Sequence, residues 1–315
     1  MSKFRKVDLS KVRTISIKNR KSKVSSHQLA RPFSPKDESF TDFVDSLPQV
    51  LVAEELREFV AALVKARRAG RPAIAMLGAH VIKVGLSPLV VDLLDRNILT
   101  CIAMNSAAAI HDVELTLFGT TSEDVESNLT DGTFGMSQET GEFMNGALRD
   151  AVRSDAGYGE AIGGALQRSR RRRSSILATC FARAIPATVH AAIGTDIIHQ
   201  QPTMDGAVTG ELSFRDFQVF ARVVQELRGG VVMNIGSAVI LPEVFLKALT
   251  VARNLGSNVS HFTTANFDMI QHYRPRMNVV TRPTKGGGRG YMFTGHHEIM
   301  IPLLCALIKS RLDGA

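Results

Sequence analysis

The residues able to do chemistry in this 315-residue chain follow its apolar runs. "PAIAMLGAH" ends in Gly78 and His80, and "ILTCIAMN" ends in Asn105 and passes through Ser106, Ala107 and two further alanines to His111 and Asp112. "ATVHAAIG" leads to Thr195 and Asp196, "GGVVMNIGS" ends in Gly236 and Ser237, and "SNVSHFTTA" ends in Thr264 and Ala265. Small residues let a ligand approach the backbone, and N–H groups at the start of a following helix can hydrogen-bond an anion. Asp112 suits the hydroxyls of a ribose. No GxGxxG accompanies these segments, so the common dinucleotide fingerprint is missing from the sequence.

Histidines and lysines supply candidate acids, bases and nucleophiles. His80, His111, His190, His199, His296 and His297, with Glu298 adjoining, fall at the same places in the pattern. Imidazoles with carboxylates can ligate a divalent ion, but the chain has no HExxH or similar same-face pair, so no metal is expected. Proton transfer is the expected use, with His296 or His111 as the proton handler. Two lysines adjoin these segments: Lys285, before "GGGRG", and Lys83, in "HVIKVG". A lysine drawn into an apolar pocket near another cation loses basicity and becomes a nucleophile or base. Cys101, Cys180 and Cys305 are widely spaced in apolar stretches and read as buried small hydrophobes.

Short runs apolar on both faces, alternating with amphipathic helices, predict a parallel sheet covered on both sides: an α/β, doubly wound, Rossmann-like fold. In such sheets a ligand lies beyond the carboxyl ends of the strands, where the residues above would meet. A helix is expected from Glu54 to Ala69, since Leu56, Phe59, Val60, Leu63 and Val64 repeat at helical spacing and Gly70 follows a basic last turn. Residues 1–37 read as a basic arm that orders against a partner, 38–315 as one domain, and the Gly-, Ser- and charge-rich stretch near 120–170 as a helical insertion. With 44% hydrophobic and 22% charged residues the chain can bury a large core. No run reaches the roughly 18 apolar residues of a membrane span, and no apolar core follows the basic start, so a cytoplasmic protein is expected. The net charge of +8 is concentrated at the start and in "RSRRRR", 168–173, without interleaved aromatics. With no Trp and three Tyr, nucleic-acid binding is not expected.

Six blocks, in order, carry a resemblance: "AHVIKVG", "NSAAAIHD", "GTDII", "VVMNIGSAVI", "TTANFD" and "HHEIMIPLL", spanning residues 72–304. The sequence resembles the deoxyhypusine synthase family, whose members use NAD to oxidise spermidine and transfer its aminobutyl group to a lysine of a translation factor or, in related enzymes, to another amine. The resemblance implies NAD as cofactor, a homotetramer with active sites shared at subunit interfaces, and an N-terminal segment reaching a neighbour. It places His80, Asn105, Ser106, Ala107, Asp112, Asp196, Gly236, Ser237, Thr264 and Ala265 on cofactor-contacting positions.

The departures bear on substrate. The family's catalytic lysine lies in a Trp-Gly-Lys context between "TTANFD" and the last helix, and here that interval has no Trp and a valine near the lysine's position. The acids that hold the polyamine there are replaced by Gln271, His272, Arg274 and Arg276. Lys285 and Lys83 are the candidate substitutes. The expectation is an NAD-dependent enzyme oxidising an amine or related small-molecule substrate, or an aminobutyl-type transferase with altered substrate; the alternative is a non-catalytic NAD-binding or scaffold homologue that has lost the lysine.

Overall fold

The computed structural model describes residues 6–20, 25–34, 36 and 39–313. Parts of the basic arm, residues 1–5 and 21–24 among them, lie outside the described residues. The chain divides into two units, Met1–Glu54 and Glu55–Ala315. In the first, isolated 3-10 turns precede α1 (Phe40–Ser46), which Ser39 and Asp42 cap reciprocally. Along the described arm Val7, Leu9, Val12, Ile15 and Ile17 are exposed.

The second unit is built on a six-stranded, wholly parallel sheet. Helix α2 (Leu51–Arg68) buries Leu56, Phe59, Val60, Leu63 and Val64, the stripe read from the sequence, and Gly70 at φ 60° ends it. Then follow β1 (Ala73–Leu77), α3 (Ala79–Lys83), α4 (Ser87–Asp95), β2 (Cys101–Asn105) and α5 (Ser106–Leu117). Between β2 and β3 the chain makes α6 (Val125–Asp131), α7 (Gln138–Ala151), α8 (Tyr158–Ala165) and α9 (Ile176–Ala182). It closes with β3 (Ala187–His190), α10 (Gly206–Gln225), β4 (Val231–Ile235), α11 (Ile240–Asn254), β5 (Thr263–Asp268), the turn α12 (Tyr273–Pro275), β6 (Arg289–Thr294) and α13 (His297–Asp313).

The strand order is β3-β2-β1-β4-β5-β6, so the chain winds outward from β1 in one direction and then from β4 in the other. The carboxyl ends of β1 and β4 flank the point where the winding reverses, the place such sheets leave open for a ligand. On one face Phe220, Leu241, Phe245, Leu249 and Phe262 form the core. On the other Phe59 packs edge-on to Phe267, and Phe267 stacks on Phe293 with ring centroids 4.8 Å apart. Cys101, Cys180 and Cys305 are buried free thiols. Among the described residues no helix is long and apolar enough to cross a membrane.

Two features depart from the pattern read in the sequence. The fifth strand occupies Thr263–Asp268, so "TTANFD" is the strand itself and Thr264 and Ala265 lie near its amino end, fully buried. The sixth strand was not foreseen: its inward side chains are Tyr291 and Phe293, and its start lies inside a glycine run that reads as loop.

Candidate functional site

Helix α5 sets out from the carboxyl end of β2, with the Asn105 side chain accepting from Ala108 N at 3.0 Å as its cap. Along it Ala107, Ile110, His111 and Glu114 stand at i, i+3, i+4 and i+7, on one face, and all four line one wall of a cavity of about 640 Å³. Lys83 of α3, Thr195, Asp196 and Ile197 beyond β3, and residues of 118–140 complete it. That volume lies within the roughly 300–1,000 Å³ typical of small-molecule sites. Ser106, fully buried, donates its hydroxyl to the Asp196 carboxylate. The sequence-read residues Lys83, Ala107, His111 and Asp196 thus share this cavity, with Ser106 behind Asp196.

His111 Nδ1 lies 2.6 Å from Thr121 Oγ1, and the same hydroxyl donates to Glu114 Oε2 at 2.5 Å. Thr140 Oγ1 donates to the other carboxylate oxygen, Glu114 Oε1, at 3.2 Å. Burial, then the charge of Lys83, lowers the His111 pKa to about 4, so the imidazole is neutral near pH 7. Glu123 and Glu139 add two further carboxylates to the lining. Glu123 also braces the insertion, accepting from Gly135 N at 2.9 Å and Asn128 Nδ2 at 2.8 Å.

A second cluster sits where the winding reverses. A β-carbon on Gly78 would come within 2.1 Å of Gly236 O, and one on Gly236, whose φ is 69°, within 2.8 Å of the His297 ring. Only glycine permits these approaches. His297 is buried; its Nε2 lies 3.2 Å from Phe267 O, and its Nδ1 has no hydrogen-bond partner among the described residues. The His80 ring lies 5.5 Å from it, and burial first, then His297, lowers the His80 pKa. Behind them Asn234 Nδ2 donates to Ser237 O (2.9 Å) and Asn266 Oδ1 (2.7 Å), and Asn266 Nδ2 to Gln271 Oε1 (2.8 Å), an amide ladder that fixes the loop after β4. Ser237 Oγ is turned inward to accept from Leu241 N at the start of α11.

Other sequence-read residues stand elsewhere. Asp112, expected to meet a ribose, is 1% exposed and accepts from Ser175 Oγ at 2.7 Å and from Ile176 N and Leu177 N at 3.0 Å each, capping α9. A carboxylate so enclosed cannot reach a ligand, so the expectation is corrected to a structural one. Lys285 precedes β6 and so lies at the amino edge of the parallel sheet, opposite the cavity. Thr264 and Ala265, near the amino end of β5, are likewise away from the carboxyl edge. His296 is 65% exposed, with Nδ1 3.7 Å from Glu298 Oε1, and does not line the cavity. Among the described residues no group of three or more His, Cys, Asp or Glu is placed to hold a metal ion. Sequence reasoning missed Glu114, Thr121, Glu123, Glu139 and Thr140. The stripe at 107, 110, 111 and 114 pointed to Glu114, whereas nothing in the sequence marks Thr121.

No family model and no curated protein matches the chain. Solved structures do. A conserved protein provisionally assigned as LOR/SDH from Methanococcus maripaludis S2 is 16% identical with a TM-score of 0.53, over 82% of this chain and 70% of that one. A protein provisionally assigned as a deoxyhypusine synthase from Entamoeba histolytica is 10% identical with a TM-score of 0.50, over 89% of this chain and 96% of that one. A point mutant of AgrE, in a binary complex with L-arginine, is 14% identical with a TM-score of 0.51; the match covers 82% of this chain but 32% of that one. At such identities the likeness is one of fold.

Proposed function

We propose that this chain is an NAD-dependent enzyme of the deoxyhypusine synthase-like kind that removes hydride from the carbon bearing the nitrogen of a small amine. The observation that carries this reading is the charge of the cavity: Glu114, Glu123, Glu139 and Asp196 line it against one lysine, Lys83, beside a histidine held neutral. Carboxylates in a partly enclosed site favour an ammonium group, and each hydrogen bond to a charged group contributes about 1.5–3 kcal/mol. The stretch from Gln271 to Arg276 has no acid to hold a cation; the carboxylates of this cavity offer that service on the β2 and β3 side.

NAD, when bound, supplies the hydride acceptor. The residues at the carboxyl edge fit it. Gly78 and Gly236 leave the backbone bare at the reversal of winding, His297 Nδ1 lacks a partner there, and Asp196, half-buried in the cavity wall, replaces Asp112 as the carboxylate within reach of a ribose. His80, Asn105, Ser106, Ala107 and Ser237 would border the nucleotide. His111 takes the proton that the substrate sheds, and burial first, then the charge of Lys83, keeps that imidazole uncharged. Lys83 is also the one candidate lysine in the cavity, so any transfer of an alkylamine fragment through an imine would use it and not Lys285.

The test combines calorimetry with NAD and absorbance of the reduced nicotinamide over a panel of amines and their neutral alcohol counterparts. The expected result is NAD binding, and reduction with at least one amine and with none of the alcohols. NAD binding without reduction by any amine would leave a binding module and overturn the enzymatic reading.

A further inference from the structure

We infer that Thr121 and Glu114 are positioning residues that fix the tautomer of His111 and leave its Nε2 as the proton acceptor of the cavity. The inference rests on the reading of the cavity as the reaction site, but its structural core stands on hydrogen-bond arithmetic alone. An ionised carboxylate can only accept, so the Thr121 hydroxyl spends its single proton on Glu114 Oε2. At the 2.6 Å contact with His111, Thr121 Oγ1 must therefore accept, and Nδ1 must carry the hydrogen. A neutral imidazole has one ring proton, so Nε2 is bare. Among the described residues Nε2 has no protein partner.

The hydroxyl is a spacer as well as a bridge. His111 Nδ1 and Glu114 Oε2 are 3.9 Å apart, beyond hydrogen-bond range. A carboxylate bonded directly to the ring would favour the imidazolium and occupy the base with a proton before substrate arrives. Through Thr121 the carboxylate orients the ring while burial and Lys83 keep it uncharged. Thr140 holds the second oxygen of Glu114, so the carboxylate is fixed from both sides. In the reaction an N–H bond of the substrate's ammonium or amine group breaks, its electron pair stays on nitrogen to form the C=N bond as hydride leaves the adjacent carbon for the nicotinamide that would be bound, and the proton forms a new bond to Nε2. The resulting imidazolium keeps its Nδ1–H on Thr121, whose hydroxyl oxygen, the negative end of the O–H dipole, faces the new charge.

The experiment is nitrogen NMR of the histidines in the full-length protein, compared with T121V and T121S, together with kcat and KM for the amine found active. Wild type and T121S are expected to show His111 neutral at pH 7 with its proton on Nδ1. T121V, similar in volume but without the hydroxyl, is expected to show a mixture of tautomers and a kcat lowered by at least about tenfold, part of the ~10²–10⁴-fold that a positioned base contributes, with KM little changed. A proton on Nε2 in the wild type, or a T121V protein with unaltered tautomer, overturns the inference whatever the activity. The NMR result does not depend on turnover, so a failure of the proposed reaction and a failure of the relay are separate outcomes.

Discussion

On one helix, adjacent residues have opposite fates. His111 looks into the cavity, and Asp112 turns away from it to hold three groups at the start of α9. D112A is therefore expected to lower stability by about 2–4 kcal/mol in urea denaturation, from a lost cap and unsatisfied buried donors. Its NAD affinity per folded molecule should stay unchanged in calorimetry; a weakened affinity would return Asp112 to the binding site. From sequence alone, His-Asp after a small-residue run reads as one functional unit. A helix turns its neighbours about 100° apart, so only one of the two could face any single ligand. Glu114 was legible by the same rule, through its spacing to Ala107 and His111. Thr121 was not, because a loop residue meets its partners only after the chain has folded back.

The alternation of apolar runs and helices yielded the sheet, because strands buried on both faces must be apolar throughout. It failed where strands carry buried polar side chains. β5 holds Thr264, Asn266 and Asp268; the ladder from Asn234 through Asn266 to Gln271 pairs the Asn266 amide inside the sheet, while Thr264 Oγ1 has no hydrogen-bond partner among the described residues. Asp216 of α10 is another internal polar brace, accepting from Gly159 N at 2.8 Å and Val189 N at 2.6 Å. Burial raises its pKa to about 7. Between the unfolded value of about 4 and about 7 the folded chain keeps a proton that the unfolded chain has lost. Its contribution is thus fully present at low pH and is lost as pH rises through about 7. His111 and His190, depressed to about 4 and about 3, act in the opposite sense: their contribution is present above the unfolded value of about 6.5 and is lost as pH falls. D216N removes the Asp216 effect and leaves those of the other titrating groups in place. The difference in unfolding free energy, variant minus wild type, is expected to grow from pH 4 to pH 7, and a flat difference in urea titrations would show that Asp216 titrates normally.

At the scale of the molecule, the reversal of winding between β1 and β4 sets where a nucleotide can lie, while the cavity owes its outer wall to the helices inserted between β2 and β3. The Gly-, Ser- and charge-rich composition of that stretch gives no hint of its use as a wall, since no local pattern records which side of a sheet a long connection covers. Val239, Ile270, Tyr273 and Ile299, all beyond the carboxyl ends of β4 to β6, are exposed on the isolated chain. Exposed apolar groups of this kind are what an association surface would cover. The homotetramer that the family resemblance implies would give about four chain masses in light scattering at micromolar concentration; a single chain mass would refute it. Asp112 has a last consequence for this assembly of parts. By pinning one azimuth of α5 to the start of α9, it denies the helix any freedom to roll about its own axis. The stripe bearing His111 and Glu114 is thereby indexed like a key in its slot, and the direction in which that imidazole faces is set by a residue buried away from the cavity.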